Sequence, residues 1–573
     1  MKNFELAKLF SEMADLLEIR GESVFRIRAY QRAAQNLESH AEDVAAVAAR
    51  GELGKIPGIG KDLASKISEY LDSGKIADLE AMRKAVPRGL VAILEVRGLG
   101  PKTAKLLHNR LGVDSVEKLE TLTRSGEILK LPGIREKTRG NILKGIATWK
   151  AGQSRMPVGK AVQIARAIVE ALRAHAPVSQ IEVAGSIRRV KETVGDIDIL
   201  VTSPNPGRVT DTFVALPAVL EILAHGDTKA SIRHQERIQV DLRVVAPDSF
   251  GAALQYFTGS KDHNVRVREI ASRKGLKVSE YGVFEEKSGK RIAGATEEEV
   301  YRAVGLPWIS PELRENNGEI EAALSGRLPA LVAVGDVRGD LHAHTDWSDG
   351  HHPLPKLIEA AEARGYEYII VSDHSKSSTV AGGLAPDELR EQIKKIRELQ
   401  KRHKIRILTG IECDILADGR MDFPDDLLKE LDIVLAAVHS RFKQTRTEMT
   451  ARIVRALENP YVNILVHPTG RLLGERDPYD VDLEQVFAAA GKHGKAIEIN
   501  SSPQRLDLKD LHARRAAELG VPIAVNTDTH YLDNLDNMAL GIATARRAWI
   551  TAPQVLNTLP LKKLLTWARA SRP

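Results

Sequence analysis

Seven short apolar runs, at 339–343, 368–372, 405–411, 433–438, 462–466, 496–499 and 522–525, alternate with amphipathic helical stretches along the last two-fifths of the chain. Alternation of this kind calls for parallel strands joined by helical crossovers, and so for a barrel-like sheet. At the ends of the runs stand His342 and His344, His374, Glu412, His439, His467, Asn500, and Asp528 with His530. In a parallel barrel the C-terminal strand ends build one cleft, so these scattered residues are expected to converge. Eleven of the 17 histidines follow residue 340, which is too uneven for surface scatter. Neutral imidazoles and carboxylates together suit Zn²⁺, Mn²⁺ or Fe²⁺. With Asp349 of Asp346-Trp-Ser-Asp-Gly350 the set offers ligands enough for up to about three ions with open positions. His351, His352, His403, His493 and His512 fall in loops or helices and read as surface residues.

A second constraint lies at 183–201, Val-Ala-Gly-Ser-Ile-Arg-Arg-Val-Lys-Glu-Thr-Val-Gly-Asp-Ile-Asp-Ile-Leu-Val. It reads as a strand, a Gly-Ser turn carrying Arg188 and Arg189, and a β-branched strand in which Asp196 and Asp198 alternate with Ile197, Ile199 and Val201. Period-two alternation puts both carboxylates on one face. Acids so placed repel unless a cation lies between them, and hard oxygen ligands suit Mg²⁺ or Mn²⁺ bridging to phosphate. The run 238–245 adds Asp241 between apolar neighbours, which completes a two-metal phosphoryl-transfer pattern.

The N-terminal part is helical in periodicity and carries three related turns. Lys55-Ile-Pro-Gly-Ile-Gly-Lys61 holds Gly58 and Gly60, Val96-Arg-Gly-Leu-Gly-Pro-Lys102 holds Gly98 and Gly100, and Leu131-Pro-Gly-Ile-Arg135 holds Gly133. Arg135 stands where the third copy's second glycine would be. Such helix-hairpin-helix turns let backbone approach a phosphate, with a following helix directing N–H groups at it. They position a nucleic-acid backbone and read no bases.

A chain of 573 residues exceeds one core, and its net charge of +6 permits a polyanionic partner without requiring one. One cysteine, Cys413, excludes a disulfide framework or a Cys-rich zinc module and fits a reducing cytoplasm. No apolar run is long enough to span a bilayer, so no membrane association is expected.

Gly185-Ser186-Ile187-Arg188-Arg189, Gly195-Asp196-Ile197-Asp198 and Asp241 together resemble the nucleotidyltransferase palm of family X DNA polymerases. The resemblance implies that Asp196, Asp198 and Asp241 hold two metal ions, and that Gly185, Ser186, Arg189 and Gly195 belong to the nucleotide site. Leu254-Gln-Tyr-Phe-Thr-Gly-Ser-Lys-Asp-His-Asn-Val-Arg-Val-Arg268 is similar to the family's Tyr-Phe-Thr-Gly-Ser segment. There Tyr256 and Phe257 would stack on the sugar beside Gly259 and Ser260, with Asn264 and Arg268 near the nascent base pair and template. The first hairpin resembles the family's lyase domain, with Lys66 at its Schiff-base lysine. A lysine of lowered pKa could attack an abasic sugar. Arg26 and Phe25 stand where animal lyases carry other catalytic side chains, which leaves phosphate binding by a solvated Lys66 open.

His-x-His, Ser-Asp-His, the strand-end Glu412 and His439, His467-Pro and Asp-Thr-His resemble the PHP (polymerase and histidinol phosphatase) metallophosphoesterases. That resemblance implies a distorted seven-stranded barrel with a trinuclear site, held by His342, His344, Asp349, His374, Glu412, His439, His467, Asp528 and His530. The expected architecture is therefore multidomain: a lyase-like helix-hairpin-helix domain over 1–82, a second helix-hairpin-helix domain over 83–153, and an α+β palm over 154–247. A thumb over 248–318, a linker over 319–335 and a PHP barrel over 336–573 follow. The expected function is gap-filling DNA synthesis in repair, with 3′-to-5′ exonuclease action and activity on abasic sites or 3′-phosphates in the barrel. Gapped or nicked duplex DNA and dNTPs are the expected partners of a monomeric, cytoplasmic enzyme. Two other readings stand beside it: a polymerase whose barrel is a small-ester phosphatase or structural, and a non-catalytic scaffold that binds DNA ends.

Overall fold

The computed structural model describes residues 2–20, 22–38, 44–56, 58–85, 93, 96, 99–153 and 155–572. The chain divides into two compact units, residues 1–154 and 155–573.

The first unit is helical. Gly60 precedes the helix Lys61–Ser73, Gly100 precedes Pro101–Leu111, and Gly133, at φ +83°, precedes Glu136–Gln153. Gly58 turns the chain at φ +76°, in the left-handed region that side chains disfavour. Leu6, Phe10, Ile67, Leu107, Leu119 and Ile146 belong to a single buried cluster, so the segments expected as separate domains at 1–82 and 83–153 share one core.

The second unit opens with a five-stranded sheet in the order Gln180–Val183, Asp196–Thr202, Gln239–Val244, Lys229–His234, Val219–His225. Its two central strands run parallel, with Asp198 directly opposite Asp241 and Asp196 opposite Gln239. Register thus sets the third acid beside the first pair on one face. The helices Phe250–Thr258, Lys261–Arg273 and Glu297–Ala303 follow with a small antiparallel sheet. The helix Glu319–Leu324 belongs to this layer: Ile320 and Ala323 join its core, and buried Glu319 meets His263 Nδ1 at 2.7 Å. Leu328 and Leu331 pack on the same core, while Val332 joins that of the barrel. The segment 319–335, expected as a linker, is thus packed on the cores to either side of it.

The seven strands Gly339–Asp340, Tyr368–Val371, Arg406–Asp414, Ile433–Ala437, Ile464–Leu465, Ala496–Asn500 and Ile523–Asn526 pair in sequence order, all parallel. A bridge between Ala343 and Thr529 draws the first and last strands together at their C-terminal ends. Strand interiors are apolar on both faces, because helices cover the outside and side chains fill the inside. Among the described residues no helix is long and apolar enough to cross a membrane.

Barrel and sheet layer are packed together. Leu506 of the barrel is buried in the sheet layer's core. Arg471 reaches Glu192 at 2.6 Å, and Arg546 reaches Glu312 at 2.7 Å. A Cβ placed on Gly159 would overlap the Pro503 ring. Gly159→Ala is accordingly expected to lower the unfolding midpoint through a loss of about 1–3 kcal/mol, read by calorimetry. Gly207→Ala, which has open space around it, serves as the silent control. Equal midpoints for the two variants would contradict this packing.

Candidate functional site

Two acid-rich sites lie in the second unit. The first is a cavity of about 640 Å³ lined by Gly185, Ser186, Arg189, Gly195, Asp196, Asp198, Tyr256, Phe257, Gly259, Asn264 and Arg268. Gly185, at φ +66°, lies so close to Asp198 that a Cβ would come 2.5 Å from its Oδ2. Burial, with Asp196 and Asp241 adding to it, pushes the Asp198 carboxyl up to about 7. Burial followed by Asp241 also raises Asp196. Asp241 accepts from Ser231 Oγ and, at 3.0 Å, from Gln239 Nε2, which fixes its rotamer. Carboxylates driven toward neutrality by one another fit a divalent cation, which removes that repulsion.

Tyr256 and Phe257 meet edge to face at 5.2 Å, and the Arg243 guanidinium lies 4.4 Å from the Phe257 ring centre. Ser260 does not line the cavity; its hydroxyl caps the helix Lys261–Arg273 by accepting from His263 N. Asn264 is held on both sides, accepting from Gln255 at 2.7 Å and donating to the Tyr256 carbonyl at 2.8 Å. Arg155, Lys191 and Lys261 also line the cavity. Sequence reasoning missed them, since isolated basic residues carry no pattern.

The second site is a cavity of about 500 Å³ at the C-terminal strand ends. All nine expected residues converge there in four overlapping groups: His344, Asp349, His374 and His530; His342, His344 and Glu412; His342, His467 and Asp528; and His374, Glu412 and His439. Glu412 is the hub. Its Oε1 lies 2.7 Å from His467 Nε2 and 3.2 Å from His439 Nε2, while its Oε2 lies 3.0 Å from His374 Nδ1 and 3.4 Å from His342 Nε2. Burial opposes its charge, but the imidazoles of His374, His439 and His342 hold the carboxyl well below its usual range. Burial, with Arg505 beside it, lowers His467 to about 4 and so keeps that ring neutral.

His342 Nε2, both nitrogens of His344, and Glu412 Oε2 are buried without a hydrogen-bond partner. Orphaned donor atoms this dense, all aimed into one space, fit divalent metal ions. His467 and Asp528 hold φ at +31° and +53°, strain of the order of 1–3 kcal/mol each that surrounding structure must sustain.

Supporting groups were not legible as such. Glu498 lies 2.8 Å from His342 Nδ1 and Asp414 lies 2.6 Å from His439 Nδ1, fixing both rings. Asp373 accepts from Thr345 N, Thr345 Oγ1 and Ser348 Oγ, and so holds the turn that carries Asp349. Arg505 lines the cavity, 3.4 Å from Asp528. His351, His352, His403, His493 and His512 join none of the four groups, although all are half-buried rather than fully exposed.

In the first unit, a Cβ at Gly60, Gly100 or Gly133 would meet nothing within 4 Å. The first two have negative φ, so neither packing nor backbone strain calls for glycine there, and an incoming phosphate would have free approach. Gly98 lies outside the described residues. Lys66 is neither solvated nor lowered in pKa. It is buried, and although burial works against its charge, Asp62 at 2.6 Å and Asp78 at 3.0 Å hold the ammonium charged. That removes the free amine a Schiff base would need.

Comparisons with known proteins divide the chain in the same way. Models of a helix-hairpin-helix domain match residues 1–76 and of a SAM-like helix-hairpin-helix tandem 91–148. DNA polymerase beta palm and thumb models match 155–241 and 253–315, and a PHP domain model matches 340–502. The DNA polymerase/3′-5′ exonuclease PolX of Bacillus subtilis (strain 168) is 38% identical over 565 residues, 98% of each chain. DNA polymerase lambda of Rattus norvegicus is 26% identical over 343 residues, 55% of this chain and 56% of its own. A probable phosphatase of Thermoanaerobacter sp. (strain X514) is 33% identical over 231 residues, 38% of this chain and 89% of its own.

Metal removal is expected to lower the unfolding midpoint of the second unit by roughly 3 °C for each ion lost, the shift in a unit of this size for a ligand present at about a hundred times its dissociation constant. Calorimetry before and after chelation, with Mn²⁺ added back, reads it. An unchanged midpoint, with no ion found by elemental analysis of the untreated protein, would contradict metal binding.

Proposed function

The chain belongs to the family X DNA polymerases that carry a PHP domain, and from that membership we propose that it fills short gaps in DNA during repair and trims 3′ ends with its barrel. The observation that carries the reading is two differently built acid clusters in one unit: Asp196 and Asp198 in a cavity lined by basic residues, with Asp241 opposite Asp198 on the neighbouring strand, and nine imidazole and carboxylate groups in a barrel mouth.

In the first cavity Asp196, Asp198 and Asp241 would hold Mg²⁺ or Mn²⁺, which when bound supplies Lewis acidity for attack by a primer 3′-hydroxyl and departure of pyrophosphate. Gly185 leaves room beside Asp198 for the nucleotide. Ser186 and Arg189 bind the triphosphate, and Arg155, Lys191 and Lys261 add positive charge around it. The Tyr256–Phe257 pair presents a fixed aromatic wall to the sugar and leaves no room for a ribose 2′-hydroxyl, which favours dNTPs. Asn264 and Arg268 face the nascent pair and template. Gly58, Gly60, Gly98, Gly100 and Gly133 let the hairpin turns grip the duplex backbone of gapped or nicked DNA.

In the barrel, His342, His344, Asp349, His374, Glu412, His439, His467, Asp528 and His530 would hold up to three Zn²⁺, Mn²⁺ or Fe²⁺ ions, which when bound supply Lewis acidity for phosphodiester hydrolysis. Glu498 and Asp414 keep His342 and His439 in the ligating tautomer, and Arg505 offers a cation to the phosphate. The same hydrolysis extends to abasic sites and 3′-phosphates. Joining both sites on one cytoplasmic, monomeric chain raises the effective concentration of each for the same DNA end.

Gapped DNA with Mn²⁺, with and without dNTPs, tests the assignment by following primer extension and shortening together. Asp198→Ala is expected to cut nucleotide addition on the order of a thousandfold while sparing trimming, and His344→Ala to do the reverse. Loss of both activities in Asp198→Ala alone would contradict two separate sites. Hydrolysis of small phosphate esters without trimming would reassign the barrel to a phosphatase, and absence of both extension and trimming from the unmutated chain would leave a scaffold.

A further inference from the structure

Arg547 ends the helix Met538–Arg547, a barrel element whose Met538, Ile542 and Ala545 sit in the barrel core. Its guanidinium nevertheless serves the other layer. Nη1 donates to the backbone carbonyl of Arg189 at 2.6 Å and lies 3.1 Å from Glu315 Oε1. Its remaining nitrogens, Nε at 2.9 Å and Nη2 at 2.7 Å, are held by Asp510 of the barrel. The side chain is 4% exposed and fully engaged.

Glu315 Oε1 is a shared acceptor, 3.0 Å from Arg189 Nε on one side and bound to Arg547 on the other, with Lys191 at 3.9 Å. Arg189 Nη1 donates to the Thr258 carbonyl. Among the described residues, Nη2 of Arg189, a residue lining the nucleotide cavity, has no hydrogen-bond partner, and Nη1 keeps a second N–H beyond the one given to Thr258.

We propose that Arg547 is a positioning residue for nucleotide binding: the barrel fixes the place and the effective charge of Arg189, so the polymerase pocket is complete only with the barrel docked on it. The proposal rests on the reading of Arg189 as a triphosphate contact. A buried carboxylate held by Arg189 alone would neutralise its guanidinium and compete with the triphosphate for it. Dividing Glu315 between two arginines weakens that hold. The donor on the Arg189 carbonyl fixes the turn that runs from Ser186 toward Asp196. Arg189, Lys191 and Arg547 set three positive charges against Glu315 and Asp510, which leaves the group attractive to an anion.

Steady-state dNTP incorporation by the full chain on gapped DNA tests this with Arg547→Gln, Glu315→Gln, the double variant and Arg189→Ala. Exonuclease rate and unfolding midpoint are measured alongside. In Arg547→Gln the KM for dNTP is expected to rise on the order of tenfold with kcat within about threefold and the exonuclease rate near wild type, while the midpoint falls because Asp510 loses its partner. In the Glu315→Gln background the increment caused by Arg547→Gln should shrink to under about threefold, because the two residues act through one another. An unchanged KM overturns the proposal. So does an increment of equal size in both backgrounds, accompanied by a loss of exonuclease rate, since Arg547 is then only a staple between layers. An unchanged KM in Arg189→Ala overturns the reading of Arg189 and the proposal with it. A raised KM in Arg189→Ala, with none in Arg547→Gln, rejects the proposal alone.

Discussion

Acids buried beside one another persist only when cations are shared among them, and this constraint organises both sites. Taking an ion out of water costs several kcal/mol unless a partner compensates it. Glu412 is fully buried, yet its two oxygens lie within 3.5 Å of five imidazoles from four strand ends. In the sheet layer the same problem is solved differently: Asp196 and Asp198 line a cavity whose other walls carry arginines and lysines, and Asp241 lies opposite Asp198 on the neighbouring strand. One arrangement would offer nitrogen ligands to a metal and the other only oxygen, a donor set that would favour softer ions in the barrel and harder ones in the sheet.

The barrel is an integral part of the second unit. Its loop at 501–508 sends Leu506 into the neighbouring core while Arg505 on the same loop reaches the ligand Asp528. Arg471, three residues beyond Pro468, binds Glu192, which lies between Arg189 and Asp196 in the chain. Short, stiff segments therefore connect the surroundings of the two sites. Their contacts are ion pairs with satisfied partners, the kind that lose most when one member is removed.

Much of this was legible in one dimension. Asp196 and Asp198 could be placed on one face because a strand repeats every two residues, and Asp241 followed because it sits in a second apolar strand. The barrel's seven strands could be found because six of them end in an imidazole or an acid that has no place in a core, and the remaining one ends in Asn500. Asp414, Glu498 and Asp373 could not be found in this way, since an acid inside or beside a buried strand looks the same whether it orients a ligand or forms an ordinary ion pair. The packing of the linker segment was hidden in the same way, because His263, which meets Glu319 at 2.7 Å, lies far away in the chain. Lys66 failed on a tertiary contact, because Asp78 from the following helix completes the pair that keeps it charged.

The central claim, that shared divalent cations hold both acid clusters together, is tested most directly by anomalous scattering from crystals grown with Mn²⁺. The account predicts peaks bounded by Asp196, Asp198 and Asp241 and a separate group of peaks around both oxygens of Glu412. Peaks at neither place, with those carboxylates turned toward protein donors instead, would contradict it.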